Sequence, residues 1–359
     1  MATRYHVGYT SNSMLINNKE LILLEVLNLK KYFPIKKGIL QREIAQIKAV
    51  DAINFTIKIG ETLGIVGESG CGKTTLGRTV LQLIKPTSGT VNLRSKRLAE
   101  KGKEFKFLEI SNVSSKVLKL LRSEMQIIFQ DPYSSLNPRL KVGTVLEEPL
   151  LVHTNLNKSE RIERVKYLLN AVGLKSEHML LHPHEFSGGQ RQRIGIARSL
   201  ASEPQLVVAD EPVSALDVSI QAQVINLLQD LQQEFGLTYL FISHDLSVIK
   251  YICQRICVMY LGKIVEIAST NELFSNPKHP YTEALISSVL TPHQKKKQRR
   301  FTLKGDVPNP SKPPSGCHFH PRCVYSKPAC ENEQPDLKDF GGGHFVSCLY
   351  ADSLKLNKH

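Results

Sequence analysis

A glycine-rich segment, residues 67–74, constrains the fold of this chain more than any other feature. It follows a short apolar run, 63–66, that predicts a buried strand, and it leads into a run, 74–83, that predicts a helix. Strand, glycine loop and helix in this order predict a phosphate-binding loop, because the loop amides point at an anion beside the positive end of the helix. An ordinary glycine turn is the alternative, and this context disfavours it.

The residue types in the loop predict how a nucleoside triphosphate would be held. Glycines let the backbone approach the phosphate oxygens closely. Lys73 would reach the β and γ phosphates, and the hydroxyl of Thr74 would hold Mg²⁺, an ion that prefers oxygen ligands. The residues predicted to bind the nucleotide here are Gly67, Glu68, Ser69, Gly70, Cys71, Gly72, Lys73, Thr74 and Thr75.

The rest of the chain alternates predicted strands and helices. Apolar runs at 206–209 and 239–243 predict buried strands, and the segment between them, 220–235, predicts a helix. This order is typical of a parallel sheet. Ahead of the glycine loop, runs at 23–29 and 49–59 predict the strands of an edge sheet.

Other segments are predicted from their composition. Residues 34–41 are basic and rich in turn formers, so we expect them to interrupt the edge sheet. The region 157–200 predicts an inserted helical part, with helices over 161–172 and 191–200. A short helix is predicted from 281 to 289, and beyond it the chain becomes rich in Lys and Arg, then proline, then cysteine.

Two acidic residues, Asp210 and Glu211, stand at the carboxyl end of a predicted buried strand, where α/β sheets bind ligands. Asp210 would bind Mg²⁺ through water, and Glu211 would polarise the attacking water of a phosphoryl transfer. Acids at this place also serve as the start of a helix, but the preceding phosphate loop favours the catalytic interpretation. His244 follows the next strand and could reach the γ phosphate, although a lone histidine at a strand end is more often structural.

The charge and hydropathy of the chain bear on its partners. An excess of 47 basic over 33 acidic residues, +14, permits a nucleic-acid interpretation. The charge is scattered, and the densest run, 295–300, is typical of a solvated linker, so we expect no nucleic-acid partner. No apolar run approaches the roughly 18 to 20 residues that span a bilayer, and the first 18 residues lack a secretory signal. We therefore expect a cytoplasmic protein whose membrane role, if any, comes through partners.

The segment Ser187 to Arg193, Ser-Gly-Gly-Gln-Arg-Gln-Arg, resembles the signature sequence of ABC (ATP-binding cassette) ATPases, and it precedes the acidic strand as in that family. Gln130 resembles the family's Q-loop, 214–217 its D-loop and His244 its switch histidine. The resemblance implies an α/β P-loop NTPase fold with a RecA-like parallel sheet. It also implies an antiparallel β subdomain, a helical signature subdomain and a small cysteine-containing C-terminal extension. The implied ligands are ATP and Mg²⁺.

In this family the signature of one subunit covers the phosphates held by the other, so the resemblance implies a head-to-tail dimer. The residues implied to act on the partner's nucleotide are Ser187, Gly188, Gly189, Gln190 and Asp217. The implied catalytic residues are Glu211, His244, Lys73 and Gln130, and the implied Mg²⁺ ligands are Thr74, Gln130 and Asp210. An aromatic residue of the early sheet stacks on adenine in the family, and the register favours Phe33, with Tyr32 as the alternative.

Two further segments, 129–139 and 276–282, resemble the ATPases of oligopeptide and dipeptide importers, and the match runs from about residue 22 to 350. The chain most resembles the F-type ATPase subunit of dipeptide permeases. This implies a heterodimer with a paralogous D-type ATPase, two transmembrane permease subunits and, indirectly, a substrate-binding protein. The implied location is peripheral, on the cytoplasmic side of the bacterial cytoplasmic membrane. The cargo stays open among dipeptides, longer peptides, haem and other small solutes.

Four cysteines near the C-terminus are separated by five, six and seventeen residues: Cys317, Cys323, Cys330 and Cys348. A cytosolic location disfavours disulfides, so metal ligation is the leading interpretation. Zinc, an iron-sulfur cluster and free thiols are all open on the spacing alone. The segment 316–323 resembles its counterpart in the importer ATPases, which implies a [4Fe-4S] cluster. Cys253 and Cys257 lie in an apolar stretch and are predicted to be core residues.

The predicted organisation is a polar tail over 1–20, an ATPase domain over 21–290 with a helical subdomain at about 131–200, and an extension over 291–359 that carries the four-cysteine site. Two rival hypotheses are a nucleic-acid-associated ABC protein and a soluble regulatory ATPase. A single cassette argues against the translation-factor type, which has two. The presence of Glu211 and His244 argues against a passive regulator.

Overall fold

The computed structural model describes residues 22–38, 42–99, 105–288, 305–354 and 356. The predicted tail over 1–20, the predicted boundary at 290–291 and the basic run 295–300 lie outside these residues. Two sheets and the helices between them form the fold, which confirms the predicted α/β class. No helix in the described ranges is both long and apolar enough to cross a membrane.

The smaller sheet is antiparallel and has the order β2-β1-β4-β5. Its strands are β1 (Ile22–Lys37), β2 (Arg42–Lys58), β4 (Ser88–Ser95) and β5 (Lys106–Glu109). The predicted interruption at 34–41 is wrong for its first half, since β1 continues to Lys37 and pairs there with Arg42. Proline has no N–H to donate, so within a sheet it is tolerated where no neighbouring strand needs that hydrogen bond. Pro34 meets this condition on the β4 side, because the pairing of β1 with β4 ends at Lys30.

The larger sheet has the order β11-β12-β10-β9-β3-β8-β7-β6. Neighbours from β9 to β6 are parallel, and β10, β12 and β11 add antiparallel strands at one edge. Every residue of β3, β7 and β8 is buried, as expected for strands covered on both faces. The strands are β3 (Thr62–Val66), β6 (Met125–Ile128), β7 (Leu206–Asp210), β8 (Thr238–Ile242), β9 (Arg255–Tyr260), β10 (Lys263–Ser269), β11 (Lys338–Asp339) and β12 (Phe345–Val346).

The helices match the predicted ones in place and differ at their ends. The helix after the glycine loop ends at Val80, earlier than predicted, and Gln82 just beyond it has a left-handed φ of 56°. The helix predicted from 191 begins at Gly188, because Ser187 caps it. The helices are α1 (Lys73–Val80), α2 (Ser115–Leu121), α3 (Pro132–Ser135), α4 (Val142–His153), α5 (Lys158–Ala171), α6 (Gly188–Leu200), α7 (Val218–Phe235), α8 (Leu246–Ile252), α9 (Thr270–Ser275), α10 (Pro280–Ser288) and α11 (Ala329–Asn332).

The C-terminal extension continues the larger sheet. Val346 of β12 pairs with Glu266 of β10, and Phe345 pairs with Ile267. The amide of Ser347 also donates to the carbonyl of Val265, at 2.8 Å. Residues of the extension are therefore fixed to β10 in the larger sheet, the same sheet whose strand β3 leads into the glycine loop.

Candidate nucleotide-binding and hydrolysis site

The glycine loop leaves the end of β3 and closes onto the start of α1. Gly67 has a φ of 154°, and a Cβ there would lie 2.1 Å from the carbonyl oxygen of Met259. Gly72 has a φ of 109°, and its Cβ would lie 1.9 Å from the carbonyl oxygen of Ala49. Both positions therefore require glycine, since a side chain would collide with backbone that cannot move independently.

Lys73 is folded back over the loop that precedes it. Its Nζ donates to the carbonyl oxygens of Gly67, at 2.7 Å, and Glu68, at 3.0 Å. The side chain is buried, yet Lys73 also lines the cavity described below. The ammonium group is thus held at the wall of that cavity, where phosphate oxygens would replace or join the carbonyls as its partners.

Thr74 and Asp210 bring two oxygen ligands together. The Thr74 hydroxyl donates to Oδ1 of Asp210 at 2.8 Å. Burial raises the pKa of this carboxyl, neighbouring Glu211 adds to the rise, and the hydrogen bond from Thr74 opposes it. Thr74 and Gln130 line the cavity, and Asp210 is joined to it through the Thr74 hydroxyl. A hydroxyl, a carboxylate and an amide carbonyl are the hard oxygen donors that Mg²⁺ takes, so these residues fit that ion.

Side chains that follow three adjacent strands contact one another at Glu211. Gln130 follows β6, Glu211 follows β7 and His244 follows β8, and these strands are adjacent in the sheet. The Gln130 amide donates to Oε2 of Glu211 at 3.0 Å, and Nδ1 of His244 lies 3.0 Å from the same oxygen. The left-handed φ of Glu211, 48°, turns its side chain out of the strand direction toward these partners.

A cavity of about 690 Å³ joins these groups. Most of the residues predicted to bind nucleotide line it, whereas Gly67 and Glu68 do not. The predicted residues on its wall are Phe33, Ser69, Gly70, Cys71, Gly72, Lys73, Thr74, Thr75, Gln130, Glu211 and His244. The wall also includes residues that the sequence did not predict: Ile47, Lys48 and Ala49 of β2, Leu261 and Gly262 of the β9–β10 turn, and Pro310 of the extension.

The two aromatic candidates for adenine differ in their surroundings. Phe33 lines the cavity, is 36% exposed, and has Nζ of Lys31 4.9 Å from its ring centre. Tyr32 does not line the cavity, and its hydroxyl donates to Asp51.

The signature residues do not line this cavity. Ser187 caps α6 by accepting from the Gln190 amide at 3.4 Å, and the Gln190 side chain accepts from the Ser187 amide at 3.0 Å. Ser187 is exposed, as is Asp217 at the start of α7. Gly188 and Gly189, like these three, are absent from the wall of the cavity. Whatever this part of α6 binds therefore lies outside the chain's own nucleotide cavity.

The four C-terminal cysteines line one small cavity of about 20 Å³, together with Tyr350. Burial raises the pKa of Cys323 to about 12 and that of Cys348 to about 11, and neighbouring thiols add to both shifts. No group of three or more His, Cys, Asp or Glu side chains in the described part of the chain is arranged to hold a single metal ion. Cys253 and Cys257 are buried in the core, as predicted.

Comparison with known proteins agrees with this geometry. Residues 50–214 match the ABC transporter family, and residues 265–330 match the C-terminal region of oligopeptide and dipeptide transporters. The oligopeptide transport ATP-binding protein AppF of Bacillus subtilis is 52% identical over 93% of this chain and 99% of its own length. The chain belongs to the ABC transporter family. The family match at the C-terminal end and this relative are both named for peptide transport, which confirms the resemblance seen in the sequence.

Other relatives of this ABC transporter subunit agree. The dipeptide transport ATP-binding protein DppF of Escherichia coli is 48% identical over 92% of this chain and 95% of its own length. Among solved structures, the dimeric bacterial ABC transporter cassette MJ0796 has a TM-score of 0.58 and 27% identity. That match covers 69% of this chain and 99% of the cassette. The predicted P-loop NTPase fold is thus confirmed.

Proposed function

We propose that this ABC transporter subunit hydrolyses ATP to drive the import of peptides across the cytoplasmic membrane. The observation that carries the proposal is the convergence of Gln130, Glu211 and His244 on one cavity with the glycine loop. The peptide class rests on relatives named for oligopeptide and dipeptide transport. The cargo itself is chosen by subunits other than this one, so haem and other small solutes stay alternatives to peptides.

In this proposal Glu211 activates the attacking water. The two hydrogen bonds described for the Glu211 side chain both fall on Oε2, which leaves Oε1 to accept a hydrogen bond from water. As the water oxygen attacks the γ phosphorus, its proton passes to Glu211 and the β–γ bridging oxygen leaves with the electrons of the broken bond. Gln130 and His244 hold the carboxylate in place, and the His244 side chain, 56% exposed, is open to the γ phosphate.

The loop and its neighbours would hold the triphosphate. Lys73 would neutralise phosphate charge, and the loop residues from Ser69 to Thr75 line the cavity, where free amides would bind phosphate oxygens. Thr74, Asp210 and Gln130 would hold Mg²⁺, which neutralises charge on the β and γ phosphates when bound. Phe33 would stack on adenine, and its place on the cavity wall favours it over Tyr32.

The signature, which does not line the cavity, supports a head-to-tail dimer in which Ser187, Gly188, Gly189, Gln190 and Asp217 act on the nucleotide of a partner ATPase. We propose a paralogous D-type subunit as that partner, as in the importers that the sequence resembles. Two permease subunits would receive the closing motion through the segment around Gln130, and a substrate-binding protein would deliver the cargo to them. The subunit would then sit peripherally on the cytoplasmic side of the membrane.

The extension supports a further part of the proposal, a [4Fe-4S] cluster held by the four cysteines. Four thiols around one small cavity are a donor set that fits such a cluster. A single zinc ion is the alternative, and it fits less well because the thiols are not gathered as a mononuclear site requires. The predicted domain organisation, with the extension from 291, is retained as part of this proposal.

The test is the replacement Glu211→Gln in the assembled transporter. Because a general base contributes about 10²- to 10⁴-fold to a rate, kcat for ATP should fall at least a hundredfold while ATP binding persists and a closed, ATP-loaded dimer accumulates. Glu203→Gln is the matched control, since Glu203 is exposed and pairs with Arg164 away from the cavity. ATP hydrolysis by Glu211→Gln at the wild-type rate would refute this assignment of the base.

A further inference from the structure

One arginine of the extension, Arg322, forms an ion pair with the glycine loop. Nη1 of Arg322 donates to Oε2 of Glu68 at 2.6 Å, and Nη2 donates to Oε1 at 3.0 Å. The two side chains are 5% and 25% exposed. This is the bidentate guanidinium–carboxylate geometry that lysine cannot reproduce. It joins residues 254 positions apart in the sequence.

The same loop residue is held a second time through its backbone. The amide of Glu68 donates to the hydroxyl of Tyr281 at 2.9 Å. The Tyr281 ring packs against Phe319 of the extension, with ring centres 5.3 Å apart, and Phe319 packs equally closely against Tyr260. Glu68 is thus held at its amide by Tyr281, which the extension contacts, and at its carboxylate by Arg322, which belongs to the extension. These two contacts are called the clamp below.

The clamp bears directly on phosphate binding. The carbonyl oxygen of Glu68 accepts from Nζ of Lys73 at 3.0 Å and from the amide of Cys71 at 3.3 Å. A displaced Glu68 would therefore displace the ammonium group and one of the loop amides. The extension also reaches the nucleotide cavity independently, since Pro310 forms part of its wall.

Charge gives the clamp a second effect. Glu68 places a carboxylate in a loop built to bind a polyanion, and unpaired it would repel the triphosphate. Arg322 balances that charge at hydrogen-bonding distance, in a site largely closed to water where screening is weak. Removing the arginine alone would thus leave one uncompensated negative charge beside the phosphates.

We propose that Arg322 is a positioning residue of the ATP site, so that the extension completes the phosphate loop of its own subunit. It fixes the backbone of Glu68, and through it Lys73, and it cancels the Glu68 charge. The inference rests on the proposed binding of ATP by this loop, and it does not depend on what the cysteines hold.

The test measures ATP binding by the purified full-length chain with isothermal titration calorimetry. Arg322→Gln should weaken the Kd for ATP about tenfold, the size expected for losing hydrogen bonds to a charged group. Arg322→Lys should recover part of the affinity. The double variant Arg322→Gln, Glu68→Gln should bind more tightly than Arg322→Gln alone, because the unpaired carboxylate is gone; a purely structural role would give no such recovery.

Two further variants complete the test. Lys327→Gln is the matched control, because Lys327 is a cation of the extension whose Nζ lies 4.1 Å from the ring centre of Tyr350, and it should bind ATP as the wild type does. Glu68→Asp keeps the carboxylate but shortens the side chain by one methylene, so the two-pronged pairing with Arg322 is lost and ATP binding should weaken as in Arg322→Gln. This variant keeps the test decisive if Arg322→Gln does not fold.

The outcomes separate this inference from the proposed function. Wild-type affinity in folded Arg322→Gln, or in Glu68→Asp, would overturn the role given to Arg322. A double variant no tighter than Arg322→Gln would overturn the charge effect. A wild-type chain that binds ATP no better than Lys73→Ala would overturn the proposed function itself, and this inference with it.

Discussion

Glu266 offers the most demanding test of how the extension is attached. Its side chain is fully buried in β10 and accepts three hydrogen bonds. The donors are the amide of Lys278 at 2.7 Å, the amide of His279 at 3.0 Å and Nε2 of His344 at 2.7 Å. One carboxylate therefore joins the larger sheet, the segment that leads into α10, and the extension.

The replacement Glu266→Ala would leave all three donors buried without an acceptor. Since each donor left without its acceptor costs about 1–3 kcal/mol, we expect the free energy of unfolding to fall by about 3–5 kcal/mol. Glu266→Gln keeps the volume and one oxygen but turns an N–H₂ group toward donors, so we expect a smaller loss of about 1–3 kcal/mol.

Glu272→Gln is the matched control. The Glu272 carboxylate lies 3.6 Å from the other ring nitrogen of the same histidine, His344, but its side chain is 43% exposed. We expect a loss below about 1 kcal/mol, as for surface ion pairs. The chain contains no tryptophan, so urea unfolding is best followed by far-UV circular dichroism. Equal losses for Glu272→Gln and Glu266→Ala would refute the reasoning from burial.

Two further predictions concern the ligands. Phe33→Ala should raise the Kd for ATP by about tenfold or more, because stacking of a base on an aromatic ring is worth about 1–3 kcal/mol, whereas Tyr32→Phe should bind ATP as the wild type does. Calorimetric titration checks both, and a larger effect at Tyr32 would reverse the assignment. Protein purified without oxygen should contain iron and labile sulfide, and Cys330→Ser should lose both; a colourless wild-type protein with neither would exclude the cluster.

The site was predictable from the sequence where local order determines geometry. A strand, a glycine loop and a helix follow one another directly, so Lys73 and Thr74 could be placed from spacing alone. Asp210, Glu211 and His244 could be placed because parallel strands end at the same edge of a sheet. It was not predictable that Gln130 and His244 share one acceptor, Oε2 of Glu211. This arrangement depends on the side-chain rotamers of all three residues, which follow three adjacent strands.

The missed features depend on contacts between distant segments. The long β1–β2 pairing was not predicted because the composition of 34–41 is locally typical of a turn, whereas the pairing of 34–37 with 42–46 depends on contacts between two strands. Pro310 and Arg322 were missed because their places follow from the pairing of β12 with β10, between residues about 80 positions apart. A signal for Arg322 did exist, since it lies inside the segment 316–323 that carries the resemblance of the extension.

The pairing of β12 with β10 also covers backbone groups that could otherwise pair with a strand of another molecule. Five of the seven residues of β10 are buried, and the strand is covered along its outer side at Glu266 and Ile267. A chain shortened before residue 305 would expose those backbone groups as a free, largely apolar strand edge, the type of surface on which β-strands of other molecules assemble. The extension therefore covers part of this sheet edge by a pairing within the chain, which requires neither nucleotide nor a partner subunit.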